Sequence, residues 1–79
     1  MDLMLGAITL FAGDYAPIGF AKCDGSLLSI SKNIKLFSNL KTRYGGDGIS
    51  NFALPKIPSI EGTIHIIAKE GYYPGHPMD

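Results

Sequence analysis

Apolar residues along this chain gather into two dense blocks with looser patterning between them. Leu3 to Ala12 is a nearly continuous apolar run with Ile8, Thr9 and Phe11 as strand formers. It predicts a strand buried on both faces, or buried on one face and covered by a neighbour. Strict alternation sets Leu3, Leu5 and Phe11 on one side and Met4, Ile8 and Leu10 on the other. That is more apolar surface than one face in so small a domain can hide, so the second side is expected to lie against another subunit. Gly13-Asp14 ends the run. The second block, Thr63 to Lys69, predicts another strong strand. Gly71 to Asp79, with Pro74, Gly75 and Pro77, reads as an irregular tail.

Between the blocks the pattern is shorter in range. Ala16-Pro17-Ile18-Gly19 is a turn, because Pro17 fixes one dihedral and Gly19 tolerates positive φ. Phe20 to Cys23 predicts a short strand. Asp24-Gly25 is the dipeptide that two-residue hairpins favour, and Ser26-Leu27-Leu28 is its expected return strand. Ile30, Ile34, Phe37 and Leu40 recur at helical spacing with Leu36 beside them, and Ser29 or Ser31 can cap the helix start. Gly45 and Gly46 are expected to stop it. Gly45 to Asn51 is a loop in which Gly45, Gly46, Asp47 and Gly48 permit sharp bends. Phe52-Ala53-Leu54 is a brief apolar segment, and Pro55 and Pro58 keep the chain beyond it extended. The order is strand, hairpin, helix, glycine loop, extended segment, strand. It predicts a small α+β domain spanning 1–79, with its patterned part at 6–55, a terminal strand at 63–69 and a tail at 71–79.

The turn residues fall in a recognisable order. Gly6-Ala7-Ile8, Phe11-Ala12-Gly13, Ala16-Pro17-Ile18-Gly19-Phe20, Cys23-Asp24-Gly25, Leu36-Phe37, Tyr44-Gly45-Gly46-Asp47-Gly48 and Phe52-Ala53-Leu54-Pro55 succeed one another along the chain. Together they resemble the phage tail collar domain, found in tail fibre proteins and in the microcystin-dependent proteins. The resemblance implies a compact collar domain, often trimeric, with a structural role as a joint or end piece of a fibre. The chain departs from the pattern at three places. Phe20 stands where tryptophan is common, and Lys41 stands where Leu-Gly-Thr is usual. Lys56-Ile57-Pro58-Ser59 replaces the Asp-Leu-Arg-Gly-Arg that opens a long variable region. The resemblance therefore implies a minimal collar domain without the variable insert.

Charge narrows the partners. Lysine and arginine number 7, aspartate and glutamate 7, and charged residues make up 18% of the 79 residues, against about 25% in ordinary domains. A basic footprint for nucleic acid is absent. No apolar run reaches the roughly 18 residues that a membrane span needs, and the start lacks a basic signal-peptide region. The expected route is synthesis in the cytoplasm without classical export, ending in a virion or an extracellular tail-like particle or filament. A chain of this size buries only about 60% of its unfolded surface. Small domains usually add a disulfide, a metal or a partner. Cys23 is the single cysteine, so an intrachain disulfide is impossible and a partner chain is the expected support.

Candidate chemistry is sparse. Cys23 and His65 could form a nucleophile and base, but nothing in the sequence orients them, and a small domain's lone cysteine is usually a buried apolar group. His65 and His76 lack metal-ligand spacing. Asp47 with Asn51 is short of the oxygen ligands of a calcium loop and lacks the lysine of a phosphate loop, so its expected work is to cap turn amides. Tyr15, Tyr44, Tyr72 and Tyr73 could form a carbohydrate- or protein-binding surface or cover a small core. The chain reads as a non-enzyme with no catalytic, metal or cofactor residues. Its expected structural turns are Pro17, Gly19, Asp24, Gly25, Gly45, Gly46, Asp47 and Gly48. Its candidate interface is Leu3, Leu5, Phe11, Ile64, Ile66, Tyr72 and Tyr73. The expected function is a self-associating collar domain of a phage tail, tail fibre or tail-like particle. The expected partner is the chain itself, as a trimer or helical filament, with other tail proteins beside it. The alternatives are a subunit of a filament built by strand addition and a carbohydrate- or receptor-binding adhesion module.

Overall fold

The computed structural model describes residues 4–71. Leu3, Tyr72, Tyr73, His76 and the tail expected at 71–79 beyond Gly71 lie outside the described residues. The elements are β1 (Ile8–Ala12), β2 (Phe20–Lys22), β3 (Leu27–Ser29), α1 (Ile34–Leu40), β4 (Asn51–Ala53) and β5 (Thr63–Ala68). They form one three-stranded sheet in the order β1-β5-β2 and one two-stranded sheet, β3-β4. Every strand pair is antiparallel. This is the small α+β arrangement that the pattern predicts.

The dense apolar block at the end of the described chain becomes the centre of the larger sheet. Thr63-Ile64-His65-Ile66-Ile67-Ala68 is rich in β-branched residues, which suit a pleated, packed surface. Flanked by β1 and β2, it buries Ile64, Ile66, Ile67 and Ala68. The core cluster comprises Leu5, Cys23, Leu36, Phe52, Leu54 and Ile67. The Phe37 and Phe52 rings meet at 5.4 Å and a 56° tilt, a favourable edge-inclined arrangement. Each large side chain buried there stabilises the fold by roughly 1.5–3 kcal/mol.

Three local expectations are corrected. The first apolar run is not one strand. Met4 to Ala7 is a turn, closed by the Ala7 N–H donating to Met4 O at 2.9 Å, with Gly6 at φ 85. The turn carries Leu5 into the core, 3% exposed, instead of along β1. The second correction concerns Asp24-Gly25. It does not close a hairpin, because β2 pairs with β5 and β3 pairs with β4. The flanking groups have long-range partners instead. Cys23 N–H donates to His65 O, Ile57 N–H to Cys23 O and Leu54 N–H to Ser26 O. The segment crosses between sheets, with Gly25 at φ 82 and Asp24 Oδ1 accepting the Ser26 N–H at 3.0 Å.

The helix starts later and stops earlier than expected. Ser29 is spent in β3, and Ser31 lies in a turn closed by Asn33 N–H donating to Ile30 O. Asn33 is the cap position, and its side chain donates to Ser29 O rather than holding a first-turn amide. Leu36 is the buried helix residue, whereas Ile34 is 64% exposed. The stop is Lys41, whose N–H donates to Phe37 O. Its φ of 53 and ψ of −140, with Arg43 N–H donating to Leu40 O at 3.2 Å, match the first central position of a type II′ turn. Glycine is the residue that tolerates this position. Lys41 is the one non-glycine residue at positive φ among those described.

Candidate functional site

The β1 strand brings the most unusual surface to the molecule. Directly opposed residues of antiparallel strands share a face. The register sets Ile8 opposite Ile67 and Leu10 opposite His65, so Ile8 and Leu10 lie on the face that carries the core. The core stops short of them. Ile8 is 41% and Leu10 51% exposed. Phe11, opposite Ile64, lies on the other face and is half-buried. Leu5, Ile64 and Ile66, expected to meet a neighbour, are buried within their own chain. They offer no side chain to a partner. The alternation that grouped Leu5 with Phe11 fails because the Gly6 turn resets the phase.

A second feature is the loop that joins α1 to β4. Asp47 Oδ1 accepts the N–H groups of Ile49 at 2.8 Å, Ser50 at 2.9 Å and Asn51 at 3.0 Å. Its other oxygen accepts the Ser50 hydroxyl at 3.0 Å. Asn51 Oδ1 in turn accepts the Asp47 N–H at 2.9 Å. These donors, the Ile49 N–H first, hold the Asp47 carboxyl well below the usual carboxylate range. The carboxylate is thereby engaged by its own loop. Gly46, at φ 97, passes against β4: an added Cβ would strike Phe52 Cα and lie 2.9 Å from Asn51 O. Gly45 O accepts the Ala53 N–H at 3.0 Å. Glycine is required here by contact as well as by conformation.

The remaining turn residues are placed as scaffolding. Pro17 O accepts the Phe20 N–H at 3.0 Å, and Gly19 O accepts the Lys69 N–H at 2.9 Å, tying the turn to the end of β5. The Asp24 carboxyl is lowered by Ser26, through its hydroxyl and then its N–H.

Chemistry finds little to work with. Cys23 is 2% exposed. Burial, and then the Asp24 charge, push its thiol up, away from the thiolate that a nucleophile needs. The main chains of Cys23 and His65 are joined, but the buried His65 Nδ1 has no hydrogen-bond partner among the described residues. The described residues contain no group of three or more His, Cys, Asp or Glu side chains that could hold a metal. None of their helices is long and apolar enough to cross a membrane. An open hollow of ~580 Å³ lies between the helix start and residues 69–70, with Lys32, Lys35, Lys69 and Glu70 at its wall. Of the tyrosines, Tyr15 is 75% and Tyr44 45% exposed.

The sequence places Ile18 in a turn and Ile49 in a loop but does not single them out; Ile18 is 100% and Ile49 86% exposed.

Comparison with known proteins supplies a family. No curated protein matches the chain. The model of a structural phage tail family, described as Phage Tail Collar Domain, matches residues 6–59. That span takes in β1 to β4, the Asp47 loop and the buried segment after it, so the chain belongs to the phage tail collar domain family.

Proposed function

We propose that this domain is a self-associating structural piece of a phage tail, tail fibre or tail-like particle. Family membership supplies the tail-related structural role. The observation that carries self-association is the bare apolar surface of β1, where Ile8 and Leu10 lie on the core side of the sheet with no core over them. Exposed apolar side chains on the inner face of a sheet leave hydrophobic stabilisation unrealised until something covers them. The domain has no disulfide to compensate, since Cys23 is free. In this reading the mature protein works in a virion or an extracellular particle, and its partners are further copies and neighbouring tail proteins.

Sedimentation velocity across a concentration series tests the reading. The expected result is a mass that rises above the monomer between micromolar and hundreds of micromolar. A monomer throughout removes self-association and leaves the family's tail-related role in place.

A further inference from the structure

β1 carries a second peculiarity, in its main chain. Antiparallel hydrogen bonds alternate inward and outward along a strand. On β1 the inward set falls on odd-numbered residues. Ala68 N–H donates to Ala7 O and Gly13 N–H to Gly62 O, and the register between them pairs Thr9 with Ile66 and Phe11 with Ile64. The N–H and C=O groups of Ile8, Leu10 and Ala12 therefore turn to the open side. No described residue meets them there. Exposed edges in native proteins usually carry a charge, a proline or a bulge that discourages pairing. Ile8-Thr9-Leu10-Phe11-Ala12 has neither charge nor proline.

The other edges are partly closed. On β2, Phe20 N–H already donates to Pro17 O, Lys22 O accepts from Asp24 N–H, and Ile57 N–H donates to Cys23 O just beyond. Lys22 adds a charge. On β4, Ala53 N–H donates to Gly45 O and Asn51 O accepts from Gly48 N–H. On β3, three residues long, Ser29 O accepts from Asn33 Nδ2. A head-to-tail contact of β1 with any of these would meet groups already engaged. The described strand whose outward groups are all unmet is β1 itself.

We infer that β1 pairs antiparallel with β1 of a second copy, about a two-fold axis at Leu10. This inference deepens the proposed self-association and rests on it. In this register Ile8 lies opposite the partner's Ala12, and Leu10 lies opposite the partner's Leu10. Each outward N–H meets a C=O. Asp14 falls opposite the partner's Gly6, so no like charges face each other. Ile8 and Leu10 of both copies share one face of the joined sheet and cover one another there. An isologous contact of this kind closes on itself. It makes a pair, and larger assemblies need a second, different surface.

The two-fold predicts a charge-swap experiment. Leu10→Lys sets lysine opposite lysine, and Leu10→Glu sets glutamate opposite glutamate. Each alone should weaken the pair by at least about tenfold, while an equimolar mixture recovers it as a heterodimer. Circular dichroism checks that each variant stays folded. Leu10→Cys is an independent arm, because hydrogen-bonded pairs sit about 5.5 Å apart at Cα, within disulfide reach. Oxidation should crosslink it into dimers that the wild type, with its buried Cys23, does not form.

Association of Leu10→Lys at wild-type strength would overturn the β1 pairing while leaving self-association intact. Monomeric single variants without rescue in the mixture would overturn the axis at Leu10. A wild type that is monomeric at every concentration would overturn both readings. A hydrogen-exchange-protected Leu10 amide in that monomer would assign the edge to a segment of the same chain.

Discussion

The segment from Gly45 to Leu54 and the strand β1 are built on opposite terms. In the first, each turn is held more than once. Asp47 gathers the amides of its own loop, Gly46 lies against the Phe52 backbone, and Phe52 and Leu54 are 0% and 1% exposed. In the second, the main-chain groups of Ile8, Leu10 and Ala12 point to the open edge, and the side chains of Ile8 and Leu10 stay 41% and 51% exposed on the core side of the sheet. The contrast separates two duties. The loop and β4 are locked into the fold, and β1 is the strand proposed above to meet a second copy.

Substitutions should divide along that line. Phe52→Ala should have the largest effect, destabilising by about 3–5 kcal/mol through lost burial and the cavity left behind. A domain of this length has only about 4–12 kcal/mol in total, so chemical denaturation should find the variant close to unfolded. Gly46→Ala should come next, at about 2–4 kcal/mol, because the methyl group meets backbone that cannot swing aside and φ is unfavourable for it. A melt within a degree of wild type would show that the loop stands off β4.

Lys41→Gly should act in the opposite direction. Relief of the type II′ strain outweighs the extra entropy of glycine in the unfolded chain, for a gain of about 0.5–2 kcal/mol seen as a higher Tm. Acid should reveal the Asp47 cap. Its folded pKa is depressed relative to an unfolded value near 3.9. The stabilisation is therefore present above about pH 4 and is lost as pH falls below it. Asp24 acts in the same direction, discounted for its exposure. The Tm of Asp47→Asn should be lower than wild type at neutral pH, and the gap should narrow steadily as pH falls below about 4. A constant gap between the two curves would remove the carboxylate from this role. The smallest effect on stability belongs to β1. Leu10→Lys, at a 51% exposed position, should shift unfolding by no more than about 1 kcal/mol. A larger loss would mean that β1 carries folding duty too.

Much of this was legible from residue order. β5 announced itself because a β-branched run leaves few alternatives, and the predicted bounds, Thr63 to Lys69, differ from the observed strand by one residue. The Asp47 turn was legible because an aspartate among glycines has amides to cap and little else to do. The misreadings share a cause. Asp24-Gly25 serves equally well in a hairpin and in a crossing between sheets, and only long-range partners at His65, Leu54 and Ile57 decide between them. Gly6 looked incidental inside an apolar run until its positive φ turned Leu5 inward. Ser29 looked like a cap because its capture by β4 across the loop is not a local signal. The burial of Ile64 and Ile66 was illegible for the same reason. Ile64 and Ile66 are as apolar as Ile8 and Leu10, and their place in the centre of the sheet, not their type, buries them. At Lys41 the sequence showed only a departure from the resembled pattern; the helix was expected to run on to Gly45, and the residue with φ at 53 is the one that ends it.

The central place of β5 also fixes an order of events during synthesis. β1 and β2 both hydrogen-bond to β5 and not to each other, yet both are translated before it. Until Ile67 emerges from the ribosome, Ile8 and Ala21 have no strand to join. Pairings this distant along the chain are slow to form because loop closure must precede any reward. The nascent protein therefore spends its waiting time with β1 and β2 translated and the one strand that pairs with both still missing.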